Sequence, residues 1–262
     1  MTAYDIIIQG GQSNAEGSGL GPVEKEYIPN ENILYLDVEK IVEELPEAVC
    51  VKYVDKPFTV HKAEERLWEG DKPLGDFSLT FAQKYVDGGL LKEGRKLLIV
   101  RGAIGGTGFH KGHWGVQAPV HKKMLEMTEY ALSLNPNNKV VGFLWHQGEH
   151  DAFEGNTPDN YYNQLFETVK SVRERYGNIP FIAGDFVNEW KMLNLKICEP
   201  IIDVIKKVVH ESGNAGFVEN TNLLSNNQKI GNGDNIHFCR EALYELGERY
   251  FEKYKELING SF

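Results

Sequence analysis

A chain of 262 residues, 41% of them hydrophobic, can bury one sizeable core, and its composition is neither collagen-like nor that of a disordered protein. Its 38 acidic and 28 basic residues leave a formal charge of −10, which repels phosphate backbones and anionic lipid, so neither nucleic acid nor a membrane surface is an expected partner. The lysine pairs Lys122-Lys123 and Lys206-Lys207 fall in helical patterns and read as solvated faces. Cys50, Cys198 and Cys239 form an odd, widely spaced set without a CxxC pair, as in a reducing compartment. The first strand begins by about residue 4, with no room before it for a leader, and no segment approaches the ~20 apolar residues of a membrane span. The expectation is one soluble, cytoplasmic domain over residues 1–262.

In chain order, Ile6-Ile7-Ile8 reads as a strand buried on both faces, and the glycine pair Gly10-Gly11 gives it a sharp exit that delivers Ser13 just beyond its carboxyl end. Strands follow at residues 32–38 and 58–61, separated by a charged, proline-containing stretch. Residues 78–91 read as a helix ending at Gly88-Gly89, then a strand at 96–101 and the glycine-rich segment 102–108. Residues 117–134 carry apolar side chains at helical spacing, and a strand is predicted at 139–145. Thr157-Pro158 starts a helix whose buried stripe is read as Tyr162, Leu165, Phe166, Val169 and Val172. A strand at 180–186, a helix at 200–211, a short strand at 216–218 and a long amphipathic helix at about 240–258 complete the chain. Short apolar strands alternating with helices specify an α/β fold, a mainly parallel sheet with helices on both faces.

Three loops leave the carboxyl ends of different strands: residues 11–17, 102–108 and 146–151. In a parallel sheet those ends share one edge, where ligands bind. A fourth cluster, Gly231-Asn232-Gly233-Asp234-Asn235-Ile236-His237-Phe238, precedes the last helix and can fold over the same edge. Acyl transfer needs a hydroxyl, an imidazole to take its proton, a carboxylate to orient that imidazole, and donors for the oxyanion. Ser13, His237 and Asp234 fit the first three, the acid and base lying within one turn of chain. The blander account is a set of turn residues, with His237 capping the next helix.

Four ordered blocks, Gly11-Gln12-Ser13-Asn14-Ala15-Glu16-Gly17, Gly105-Gly106-Thr107, Trp145-His146-Gln147-Gly148-Glu149 and Asp234-Asn235-Ile236-His237, resemble the motifs of the sialate O-acetylesterase-like and acetylxylan esterase-like branch of the SGNH hydrolases, which includes carbohydrate esterase family six. The resemblance runs from residue 9 to about 238. It implies a flavodoxin-like SGNH fold, a single three-layer α/β/α sandwich, and a serine esterase that removes O-acetyl groups from a carbohydrate without a cofactor or metal. It implies Ser13 as nucleophile, His237 as base, Asp234 as orienting acid, and oxyanion donors at the Ser13 N–H, the Gly106 N–H and the Gln147 side-chain amide. Gln147 stands where many relatives carry Asn. Glu149 is read as a structural acceptor, because Asp234 has the tighter spacing to the base; a Ser13–His237–Glu149 triad stays open as the alternative. Gln12, Asn14, His110 and Trp114 are candidate contacts to the substrate, with Phe109 and Phe153 as further aromatic walls.

Residues 146–150 also fit the His-x-x-Glu-His pattern of zinc peptidases. That pattern needs a helix, whereas here it follows a β-rich strand and contains Gly148, so no metal is expected. Competing readings are an SGNH lipase or thioesterase for longer acyl chains and a catalytically silent sugar-binding protein. The sugar itself, whether a xylan fragment, sialic acid or another acetylated saccharide, and the oligomeric state are left open by the sequence.

Overall fold

The computed structural model describes residues 2–45 and 48–260. The chain begins with β1 (Ala3–Gly11), the four-residue helix α1 (Ser13–Glu16) and β2 (Ile33–Asp37). Two hairpins follow, with one strand between them: β3 (Lys40–Leu45) with β4 (Ala48–Tyr53), then β5 (Thr59–Lys62), then β6 (Arg66–Trp68) with β7 (Lys72–Leu74). The rest alternates: α2 (Phe77–Asp87), β8 (Arg95–Arg101), α3 (Pro119–Ser133), β9 (Lys139–His146), α4 (Glu149–Phe153), α5 (Pro158–Tyr176), β10 (Phe181–Gly184), α6 (Asn188–Leu193), α7 (Leu195–Ser212), β11 (Ala215–Val218), α8 (Asn226–Ile230) and α9 (Arg240–Ile258).

Seven strands form one sheet in the order β11-β10-β9-β1-β8-β2-β5. Every pairing is parallel except that of β5, which closes the edge antiparallel to β2. Strand alternation explains why both faces are apolar. Ile6, Leu36, Leu98 and Val100 pack with Met127 and Ala131 of α3, whereas Ile7 joins the larger cluster that holds Phe81, Tyr250 and Tyr254 of α2 and α9. These layers make the three-layer α/β/α arrangement expected from the sequence. Gly247 lets α9 cross close to α2, since an added Cβ would lie 2.1 Å from the Phe77 carbonyl oxygen.

The sequence reading needs three adjustments. The charged stretch after β2 is more structured than a connector, since β3 and β4 pair there as a hairpin off the main sheet, and a second hairpin, β6 with β7, follows β5. On α5 it is Tyr161 that is fully buried; Tyr162 stacks on Phe166 at the partly exposed border of the core. Helix α7 starts at Leu195, so Pro200 lies inside it rather than at its start. The register pairs Gly11 with His146 and Gln9 with Arg101, which brings the loops after β1, β8 and β9 together at one edge.

Candidate active site

Ser13 reaches this edge because the backbone turns at Gly11. Gly11 has φ 131°, and an added Cβ would sit 2.1 Å from the His146 carbonyl oxygen, so only glycine fits. The Gln12 N–H donates to that same oxygen at 3.0 Å, and the N–H groups of Ala15 and Glu16 return to the Gln12 carbonyl, closing the short helix α1. Ser13 is left half-buried at its start.

His237 arrives from the opposite end of the chain. Its Nε2 lies 2.8 Å from Ser13 Oγ, and its Nδ1 lies 2.9 and 3.0 Å from the two carboxylate oxygens of Asp234. A carboxylate only accepts, so Nδ1 carries the proton and Nε2 is free to accept from the serine hydroxyl. Asp234 also accepts from the His237 N–H at 3.2 Å and from Asn226 Nδ2 at 2.9 Å. Burial pushes its carboxyl up, but the hydrogen bond and charge of His237, with Asn226, outweigh this and hold it below the ordinary carboxylate range.

Glu149 is held elsewhere. It is fully buried, its Oε1 accepts from Asn14 Nδ2 at 2.8 Å, and it lies 3.7 Å from His146 Nε2. Burial raises its pKa above the usual range despite the Asn14 donor. Between the two candidate acids, then, it is Asp234 that faces the His237 ring. His146 is buried and loses its proton readily, its pKa pushed down to about 3 by desolvation.

Of the oxyanion candidates, the Ser13 and Gly106 N–H groups have no acceptor among the described residues. Gly106 sits in the left-handed region at φ 69°, and the adjoining Gly105 lies against Ser13, an added Cβ there being 3.6 Å from the serine Cβ. Gln147 differs from expectation. It is fully buried, and its amide nitrogen faces Asp151 Oδ2 at 2.6 Å, Gln12 Oε1 at 3.2 Å and the Thr107 carbonyl at 3.4 Å. Two amide hydrogens are already outnumbered by acceptors, so none is left for an oxyanion.

Three of the four proposed substrate contacts are likewise committed inside the protein. Gln12 Oε1 accepts from Gln147 and from the Gly148 and His150 N–H groups. Asn14 donates to Glu149 and the Ile236 carbonyl and accepts from the Phe238 N–H, stapling the chain on either side of His237 to the serine turn. Trp114 is buried against Trp145 and donates to Thr107 Oγ1 at 2.9 Å. His110 alone of the four is exposed; of the further aromatic candidates, Phe109 is buried and Phe153 exposed. A cavity of about 640 Å³ lined by Tyr27, Gln83 and Tyr244 does not include Ser13.

Three residues of this neighbourhood were given no role at the serine site from the sequence. Asn226 holds Asp234 and also binds the Ser18 carbonyl and the Leu20 N–H. Asp151 accepts from the Phe109 and His110 N–H groups and so ties the glycine-rich loop down. Glu16 accepts from the Gly105 N–H at 2.8 Å. Asn226 had a readable signal in the Ser225-x-x-Gln228 capping box that starts α8, and Glu16 lies within the Gly11–Gly17 block.

A three-layer α/β/α fold whose mainly parallel sheet gathers polar clusters at one carboxyl edge is the architecture of an SGNH-like hydrolase. The chain belongs to the carbohydrate esterase family of sialic acid-specific acetylesterases, whose model matches residues 3–256. Over 87 residues it is 30% identical to the probable 9-O-acetyl-N-acetylneuraminic acid deacetylase of Escherichia coli (strain K12), a stretch that makes up 30% of this chain and 27% of that relative. In fold it is similar to the crystal structure of NanS, with a TM-score of 0.75, 19% identity, and 99% and 98% of the two chains covered. It is also similar to a carbohydrate acetylesterase from Xanthomonas citri, at a TM-score of 0.63 and 17% identity, covering 98% of this chain and 57% of that one.

Proposed function

We propose that the protein is a serine esterase that removes O-acetyl groups from a saccharide through an acetyl-enzyme intermediate. The observation that carries this reading is the continuous relay from Ser13 Oγ to His237 Nε2 at 2.8 Å and from His237 Nδ1 to Asp234 at 2.9 Å. Ser13 Oγ attacks the acetyl carbonyl carbon while His237 Nε2 takes its proton, and Asp234 stabilises the imidazolium. The oxyanion faces the N–H groups of Ser13 and Gly106. His237 then returns the proton to the departing sugar oxygen. A water attacks the acetyl-serine by the same route in reverse, releasing acetate and restoring the hydroxyl.

Family membership makes an O-acetylated sialic acid the first substrate to test and an acetylated xylo-oligosaccharide the second. A cytoplasmic setting belongs to the same proposal, supported by three cysteines that form no disulfide. The test is acetate release from a panel of acetylated sugars by wild type and Ser13→Ala, with 4-nitrophenyl esters of increasing chain length alongside. Loss of release in Ser13→Ala and preference for the two-carbon ester are expected. Undiminished hydrolysis by Ser13→Ala would overturn the mechanism, and preference for eight carbons would overturn the acetyl specificity.

A further inference from the structure

Glu16 is three residues past the serine, and its carboxylate is engaged by three other partners. Oε2 accepts the Gly105 N–H at 2.8 Å, while Oε1 meets Lys40 Nζ and Arg66 Nη1, each at 3.3 Å. Its backbone carbonyl accepts from Arg66 Nη2 and Arg101 Nη2, both at 3.1 Å, and Arg66 Nη2 also donates to the Gly17 carbonyl at 2.7 Å. Lys40 belongs to β3 and Arg66 to β6, so both hairpins of the segment between β2 and α2 converge on this one carboxylate.

The bond to Gly105 has a directional consequence. It fixes the Ile104–Gly105 peptide, the neighbour of the one that carries the Gly106 N–H, and uses the Gly105 N–H, so the donor left for the reaction is that of Gly106, itself in the left-handed region. From this geometry we infer that Glu16 is a positioning residue: it aims the Gly106 N–H at the oxyanion, and Lys40 and Arg66 hold it in place, making the two hairpins part of the catalytic frame. The inference rests on the esterase reading above. The charge is well suited to the task, since burial disfavours it but Lys40, Arg66, the Gly105 N–H and Arg101 together keep the carboxyl ionised below its ordinary range.

A preorganised donor loses its effect when displaced by about 1 Å, so Glu16→Ala should lower kcat by ~10- to 100-fold with KM changed by less than about threefold. The affinity for methylboronic acid, whose serine adduct copies the tetrahedral intermediate, should fall by the same factor as kcat. Glu16→Gln retains an acceptor for Gly105 and should recover most of the lost rate, a rescue that a loosened fold would not produce. Arg66→Met, which removes one of the two clamping cations from a hairpin, should lower kcat several-fold at constant KM. Wild-type kcat in Glu16→Ala, or in Arg66→Met if the first variant does not fold, overturns the inference. An active Ser13→Ala would instead overturn the underlying mechanism, whereas an inactive Ser13→Ala beside a fully active Glu16→Ala overturns the positioning role alone.

Discussion

Asp234 and Glu149 are two carboxyl groups near one imidazole, and their surroundings drive their proton affinities apart. Asp234 gains more from His237 and Asn226 than burial costs it, whereas Glu149, without a cation in contact, does not recover its desolvation. The signs follow. Asp234, lowered, contributes stability that is present above the ordinary carboxylate range and is lost as pH falls through its lowered value. Glu149, raised, imposes a penalty that grows as pH rises past that range. Glu149→Gln keeps an acceptor for Asn14 and deletes the charge. Its melting temperature should therefore gain on wild type as pH is raised from about 4 to about 8, with kcat within about threefold of wild type. Asp234→Asn removes the acceptor that fixes the His237 tautomer and should cost ~10³- to 10⁴-fold in kcat. Melting curves across pH with parallel kinetics decide the matter, and the opposite ranking of the two variants would assign the orienting role to Glu149. That Ser13, Asp234 and His237 meet was legible because their residue types and local spacing suit one hydrogen-bonded relay. The other polar motif residues were legible as special but not as to their use. Gln12 and Asn14 look like substrate contacts in sequence and Gln147 like an oxyanion donor, yet each is spent on buried backbone and on its neighbours where loops cross.

At the scale of elements, α8 shows how a short helix serves the site. Ser225 caps it, accepting from the Gln228 N–H at 2.9 Å while the Gln228 side chain accepts from the Ser225 N–H at 3.0 Å, and the serine hydroxyl also donates to Glu189. The cap places Asn226, the next residue, against Asp234. Ser225→Ala should cost about 1 kcal/mol, or roughly 2–4 °C in melting temperature, and lower kcat more than it raises KM. Calorimetry and steady-state kinetics on the same preparation check both effects; unchanged turnover in a destabilised variant would show that Asn226 holds its place without the cap. The main strands were readable because burial on both faces demands unbroken apolar runs such as Ile6-Ile7-Ile8 and Leu97-Leu98-Ile99-Val100. The hairpins were not, since β6 and β7 pair off the main sheet with mostly exposed or half-exposed residues and so carry no core-facing pattern. On α5 the stripe was read correctly at Leu165, Val169 and Val172 and differs at its first tyrosine, because Tyr161 and Tyr162 are chemically alike and only packing selects the one whose hydroxyl reaches the Gln147 carbonyl at 2.9 Å.

For the molecule as a whole, charge bears on which of the two candidate substrates is favoured. The formal charge is −10, and of the cations at the serine turn Lys40 and Arg66 are paired with Glu16 and Arg101 with Asp37, while Lys111 in the neighbouring loop is paired with Glu154 at 3.1 Å. The field met by an approaching sialic acid, itself an anion, is therefore set mainly by the net charge rather than by a local cationic patch. Its range shrinks from about 30 Å at 0.01 M salt to about 8 Å at 0.15 M. Over that interval kcat/KM for an O-acetylated sialic acid should rise a few-fold as repulsion is screened, while that for a neutral acetylated xylo-oligosaccharide should stay level. Comparing the two substrates in one salt series cancels any effect of ionic strength on the enzyme itself. A kcat/KM that falls with salt for the sialate alone would mean that exposed groups such as His110 create an attractive local field strong enough to reverse the sign of the whole.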